Sequence, residues 1–217
     1  MINITPFLRE HKWYNIPIVL YFTACFILLL FLNKGDLVLF FSDNRTDFWN
    51  TFFIYGTKLG EEYIYLLGLV GLLFVKYRYA IFVPVVAGIT AVFSALLKIF
   101  FAHLRPKLWF EELGEILTFV PDIYVNVGYT SFPSGHTFSG FAIFGYLALC
   151  SNRWWLKILF ASFAIITGLS RVYLAQHFLE DIVFGGFLGT TLAIGVYLLQ
   201  SRLSDDASKW WNKGIIN

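Results

Sequence analysis

Charge is what this sequence has least of. Only 14% of its 217 residues are Asp, Glu, Lys or Arg, and 58% are hydrophobic. A soluble domain carries about a quarter charged residues. The deficit runs the whole length, which argues against a large soluble core and for a chain embedded in a bilayer. A net charge of +2 gives no reason to expect a nucleic-acid partner. There are two cysteines, Cys25 and Cys150, both inside apolar runs. That excludes a disulfide framework and reads as two small buried hydrophobes. Ser/Gly linkers, internal repeats and low-complexity tracts are also missing, so residues 1–217 read as one integral-membrane domain. The first apolar run is longer than a signal-peptide core and lacks a small-residue cleavage site, so it reads as an anchor that stays.

What is present is a series of apolar stretches. A spanning helix needs roughly 20 mostly apolar residues. Ile16–Leu32, Tyr79–Phe101, Thr137–Ser151, Trp155–Tyr173 and Phe178–Leu199 meet or approach that length. Phe52–Val75 is a sixth, with Lys58, Glu61 and Glu62 toward its start. The expected fold class is therefore all-α, a polytopic bundle of about six transmembrane helices. Two other stretches are long. Asn33–Gly60 contains "FWNTFFIYG", readable as an interfacial amphipathic helix, and Ala102–Gly135 is long enough to be functional or to form short helices of its own. With the N-terminus inside, the inner side holds Arg9, Lys12, Lys76, Arg78, Arg153, Lys157, Arg202, Lys209 and Lys213, against Lys34, Arg45, Lys58, Arg105, Lys107 and Arg171 outside. That bias sets the expected orientation, with Trp210 and Trp211 as an inner interfacial anchor.

Ionisable residues in or at the ends of spans are costly and mark functional sites. Here they are Lys98, Arg105, His136, Arg171, His177 and Asp181. Each lies near the end of an odd span or the start of an even one, so in a serpentine bundle all six collect at one membrane surface. Lys98 and Arg105 are seven residues apart, two helical turns, and Pro106 is expected to stop their shared helix. His177 and Asp181 are four apart, adjacent on a helix surface. In "SFPSGHTFSG", Ser134 suits an N-cap, Gly135 permits close backbone approach, and the free N–H groups of a first turn attract anions. Taken singly, each residue has a structural reading: a snorkelling lysine, a cap, a buried polar pair. Together they make an anion site with a nucleophile and an acid. A metal centre is the competing reading. Three cations oppose it, and one carboxylate without a thiolate is a poor ligand set. His11 and His103 have nothing placed around them by the sequence.

Three blocks carry a family resemblance. "KIFFAHLRP" (residues 98–106), "PSGH" (133–136) and "SRVYLAQHFLED" (170–181) stand in order. They resemble the motifs of the type 2 phosphatidic acid phosphatase (PAP2) family, whose site is shared with vanadium haloperoxidases. The resemblance implies a membrane hydrolase that needs no metal or other cofactor. Lys98, Arg105 and Arg171 would hold the phosphate oxygens, with Ser134 and the Gly135 N–H adding hydrogen bonds. His177 would attack phosphorus to form a phosphohistidine, Asp181 would orient it, and His136 would protonate the leaving oxygen. Activity would then peak at an intermediate pH, because one imidazole must be neutral and the other protonated. Helix-tip placement at headgroup depth favours a membrane lipid phosphate as substrate: phosphatidic acid, phosphatidylglycerol phosphate, an isoprenyl diphosphate or a lipid A type phosphate. The expected location is a bacterial inner membrane with the site facing the periplasm. Phosphoryl transfer to an acceptor other than water, or non-catalytic lipid or anion transport, would use the same pocket.

Overall fold

The computed structural model describes residues 4–121 and 123–216, and among them every regular element is a helix. In chain order these are α1 (Ile4–Glu10), α2 (Lys12–Phe31), α3 (Asp36–Asp43), α4 (Asp47–Lys58), α5 (Tyr63–Leu73), α6 (Tyr77–Ile81), α7 (Val83–Phe101), α8 (Pro106–Leu113), α9 (Gly135–Cys150), α10 (Trp154–Tyr173) and α11 (Leu179–Gln200). A short 3-10 turn at Trp210–Asn212 follows. Four stretches are long and apolar enough to cross a membrane: α2, the α6–α8 segment, α10 and α11. Helices α5 and α9 are apolar but shorter. Large side chains such as Phe31, Ile99 and Phe100 project outward, as a lipid-facing girdle requires.

Helix α9 is the axis of the bundle. Its residues from Thr137 to Tyr146 are all buried, and it packs chiefly on α11 and α10. At 16 residues it is roughly 24 Å long, short for a lipid-exposed span. Protein, rather than lipid, surrounds it. Membrane helices gain little from hydrophobic transfer against each other, so close van der Waals contact must hold them. Two glycines of α11 supply it. A Cβ on Gly185 would come within 2.7 Å of the Ser134 carbonyl oxygen, and one on Gly189 within 2.6 Å of that of Phe138. Either substitution forces the two backbones apart at the first turns of α9. Cys25 and Cys150 are buried free thiols.

Two sequence expectations are corrected here. The stretch Phe52–Val75 is not one span: α4 ends at Lys58 and α5 starts at Tyr63. The break places Gly60 against α9, where an added Cβ would lie 2.9 Å from the His136 carbonyl oxygen. Lys98 and Arg105 do not share a helix either. Helix α7 ends at Phe101, with Ala102 in the left-handed conformation closing it onto the Lys98 carbonyl. Arg105 is instead the N-cap of α8, and Pro106 opens that helix rather than ending the previous one. The "FWNTFFIYG" segment does form a helix, α4, capped by the Thr46 hydroxyl and packed on α10.

Candidate active site

The site lies where the C-terminal ends of α7 and α10 meet the N-terminal ends of α9 and α11. The second motif block makes the first turn of α9. Ser134 is wholly buried, and its Oγ accepts from the Thr137 N–H at 3.4 Å and meets the Thr137 hydroxyl at 2.8 Å. Ser134 is thus the N-cap anticipated from the sequence. Gly135 follows directly, and Lys98 rests on it: a Cβ there would sit 3.2 Å from Lys98 Nζ and 2.8 Å from Ser94 Oγ. Any larger residue would displace the ammonium from the start of α9.

The third block forms the floor. His177 Nδ1 lies 3.2 Å from Asp181 Oδ2, and both residues are only 1% exposed. That same carboxylate oxygen accepts from the Phe178 N–H at 2.9 Å and from the Ser131 hydroxyl. The Ser134 N–H donates to the Asp181 carbonyl at 3.1 Å, tying the α9 turn to α11. A carboxylate on Nδ1 fixes the tautomer and leaves Nε2 as the free nitrogen.

The cations converge on this imidazole. Burial first, and then Arg105, Arg171 and Lys98, hold the His177 acid dissociation well below the usual imidazole value. The ring is therefore neutral at neutral pH. His136 is within electrostatic reach of the same three cations and of His177. Among the described residues Arg105 is held by neutral acceptors: Thr130 Oγ1 at 3.1 Å, the Thr130 carbonyl at 3.2 Å, the Gln176 carbonyl at 3.0 Å and Gln176 Oε1 at 3.4 Å. Arg171 donates to the Thr57 hydroxyl, and its buried Nε finds no partner among the described residues. None of Lys98, Arg105 and Arg171 has a carboxylate within ion-pair distance among those residues. Buried cations left without counter-charge are costly, and an anionic ligand is what relieves them.

A cleft of about 1040 Å³ opens beside α5, α7 and α9 and reaches Lys98, Gly135 and His136 at its inner end. Glu61 and Glu62 line its rim. His177, Asp181, Arg105 and Arg171 lie behind the cleft wall, each at most 6% exposed. All the sequence-derived site residues thus gather at one end of the bundle, in two layers. Ser131, Gln176, Thr57 and Ser94 are additions. Ser94 stands one helical turn before Lys98, a spacing visible in the sequence, whereas the others depend on contacts distant in the chain. His103 packs among Phe101 and Phe132 beside the loop, and His11 lies at the far end of the bundle.

With this geometry in place, comparison with known proteins decides the family. The PAP2 superfamily model matches residues 78–205. The chain belongs to the PAP2 superfamily. No curated protein matches it in sequence. Among solved structures, LpxE from Aquifex aeolicus is similar with a TM-score of 0.63 and 22% identity, over 76% of this chain and 95% of that one. The first transmembrane PAP2 type phosphatidylglycerolphosphate phosphatase from Bacillus subtilis gives a TM-score of 0.62 and 20% identity, over 89% and 99%. At these identities the likeness is one of fold: an all-helical membrane bundle.

Proposed function

We propose that this protein is an integral-membrane lipid phosphatase acting through a phosphohistidine. The observation that carries the reading is the buried Arg105 and Arg171 with the half-buried Lys98, none holding a carboxylate partner among the described residues, beside the His177–Asp181 pair. A phosphate ester supplies the missing negative charge. Lys98, Arg105 and Arg171 bind its non-bridging oxygens, arginine two at a time, and the Gly135 N–H at the start of α9 adds a donor. Ser134 shapes that turn as its cap. His177 Nε2 attacks phosphorus as the bond to the leaving oxygen breaks, and Asp181 stabilises the imidazolium through Nδ1. His136, at the inner end of the cleft, gives its proton to the leaving alcohol or phosphate. Water then cleaves the phosphorus–nitrogen bond and regenerates His177. Fixed cations act here as Mg²⁺ does in other phosphoryl transfers. Because His177 is 1% exposed, binding includes a widening of the inner end of the cleft.

The cleft faces the lipid-exposed flank of α5 and α7, so a headgroup can enter while its chains remain in the bilayer. This supports a phosphatidic acid, phosphatidylglycerol phosphate, isoprenyl diphosphate or lipid A type phosphate as substrate. The basic residues gathered at the opposite end support a site facing away from the cytoplasm of a bacterial cell. The test is phosphate release in detergent from those four lipids, with and without chelator and vanadate. Release from at least one, unaffected by chelator and inhibited by vanadate, is expected. Release that requires Mg²⁺ would overturn the metal-free step. Binding without release from any of the four would leave a transporter, and transfer to an added alcohol would mark a phosphotransferase.

A further inference from the structure

The catalytic cleft occupies one flank of α5. On its other flank, α5, α9 and α10 enclose a second groove of about 740 Å³. Leu67, Leu147, Leu156, Phe160 and Phe163 make its walls. Gly71 forms an open floor, since a Cβ added there would meet nothing within 4 Å. The groove begins at Leu59, near the site end, and finishes at Lys76 and Arg153. Arg153 precedes α10 and Arg171 sits near its end, so the charged end of the groove lies roughly 27 Å along α10 from the catalytic end of the bundle.

Any groove on a membrane helix bundle is filled by lipid chains. The charge at its end distinguishes this one. Lys76 and Arg153 form no ion pair among the described residues, and the lysine ammonium rests 5.9 Å from the Tyr79 ring. Among the described residues no acidic one lines the groove, in contrast to the cleft with Glu61 and Glu62. Trp154 and Trp155, half or more exposed beside Arg153, mark that end as interfacial in depth. We propose that the groove is a binding site for one anionic phospholipid of the leaflet opposite the catalytic site. Its acyl chain lies over Gly71 between α5 and α10, and its phosphate sits between Lys76 and Arg153. A second copy of the chain fits less well, because it would bring the same cations to a contact that offers no acid to meet them. This site is independent of the chemistry proposed at His177.

Native mass spectrometry of the full-length protein, from micelles holding equal phosphatidylglycerol and phosphatidylcholine, tests it. Wild type should retain one phosphatidylglycerol in preference to phosphatidylcholine. Lys76→Gln with Arg153→Gln should retain it on the order of tenfold more weakly, as two lost cations at the membrane surface imply. Lys209→Gln with Lys213→Gln removes equal charge from the same end and should retain it like wild type. Gly71→Phe fills the floor and should lose the lipid whatever its headgroup. Equal retention of both lipids by wild type, or equal loss in the two charge pairs, would overturn the proposal. So would full retention by a folded Gly71→Phe protein, or a wild-type dimer that this substitution dissociates with lipid retention unchanged. If Gly71→Phe does not fold, the two charge pairs decide alone.

Discussion

Two buried arginines at opposite ends of the bundle differ in their company. Arg78, at the far end, is 3% exposed and fully engaged: Nε to Gln200 Oε1 at 3.0 Å, the two terminal nitrogens to the Gln200 and Leu203 carbonyls, to Asn212 and to the Asp205 carboxylate. It straps the chain after α11 onto α6. Arg171, at the site end, is about as deeply buried yet has one hydroxyl partner and an orphan Nε. The histidines differ in which cations face them, although His11 Nε2, like Arg171 Nε, is buried without a hydrogen-bond partner among the described residues. His11 at the far end meets Lys157 at 2.7 Å, a partner its sequence context did not reveal, and its acid dissociation is pushed down to about 4 by burial and then by that lysine. His177 is lowered too, but by burial and three cations that have no carboxylate on them. Arg78, with its donors engaged, holds the fold together; the proposed function assigns the unsatisfied Arg171 to an anion.

The comparison can be broken by substitution, starting with the largest effect. His177→Ala should lower turnover by at least about a thousandfold with the melting temperature unchanged, as loss of a nucleophile does. Persistent turnover would remove His177 from the reaction. Arg171→Gln and Arg78→Gln should behave oppositely. The first should lose about a hundredfold in turnover and little stability. The second should lose about 2 kcal/mol of stability from its charged hydrogen bonds to buried acceptors, with unchanged activity per folded molecule. Parallel thermal melts and assays separate them, and the same response in both would erase the distinction. Ser131→Ala removes one donor to Asp181 and should lower turnover about tenfold.

The smallest effect concerns pH. Because burial and the cations depress protonation of His177, turnover should persist as pH falls through 6.5 and decline only below it. Arg105→Gln removes one of those cations, so the ring takes its proton more readily and the acid limb moves to higher pH. A limb that stays put or moves down would separate that limb from His177.

Much of this site was legible because its signals are local. Ser134–Gly135–His136 and His177–Asp181 each fit within one or two helical turns, and alternation of helix ends puts them on one side. The rest depends on partners far apart in sequence. Ser131 reaches Asp181 across 50 residues, Arg105 reaches Gln176 across 71 and His11 reaches Lys157 across 146. The break after Phe101 was hidden for another reason. The residue that turns the chain is Ala102, not the glycine or asparagine that usually betrays a left-handed cap. The break between α4 and α5 did have a local signal, since Lys58, Glu61 and Glu62 interrupt the apolar run on either side of Gly60, but its fit against α9 could not be read from the sequence.

The central claim is that a phosphoryl group reaches His177. Its most direct test is a rapid quench of the purified protein with a phosphorus-labelled lipid substrate, followed by mapping of the labelled peptide. The account predicts an acid-labile, base-stable label on residue 177 that disappears in His177→Asn. Turnover with no label on that residue, or a label that survives the substitution, would contradict it.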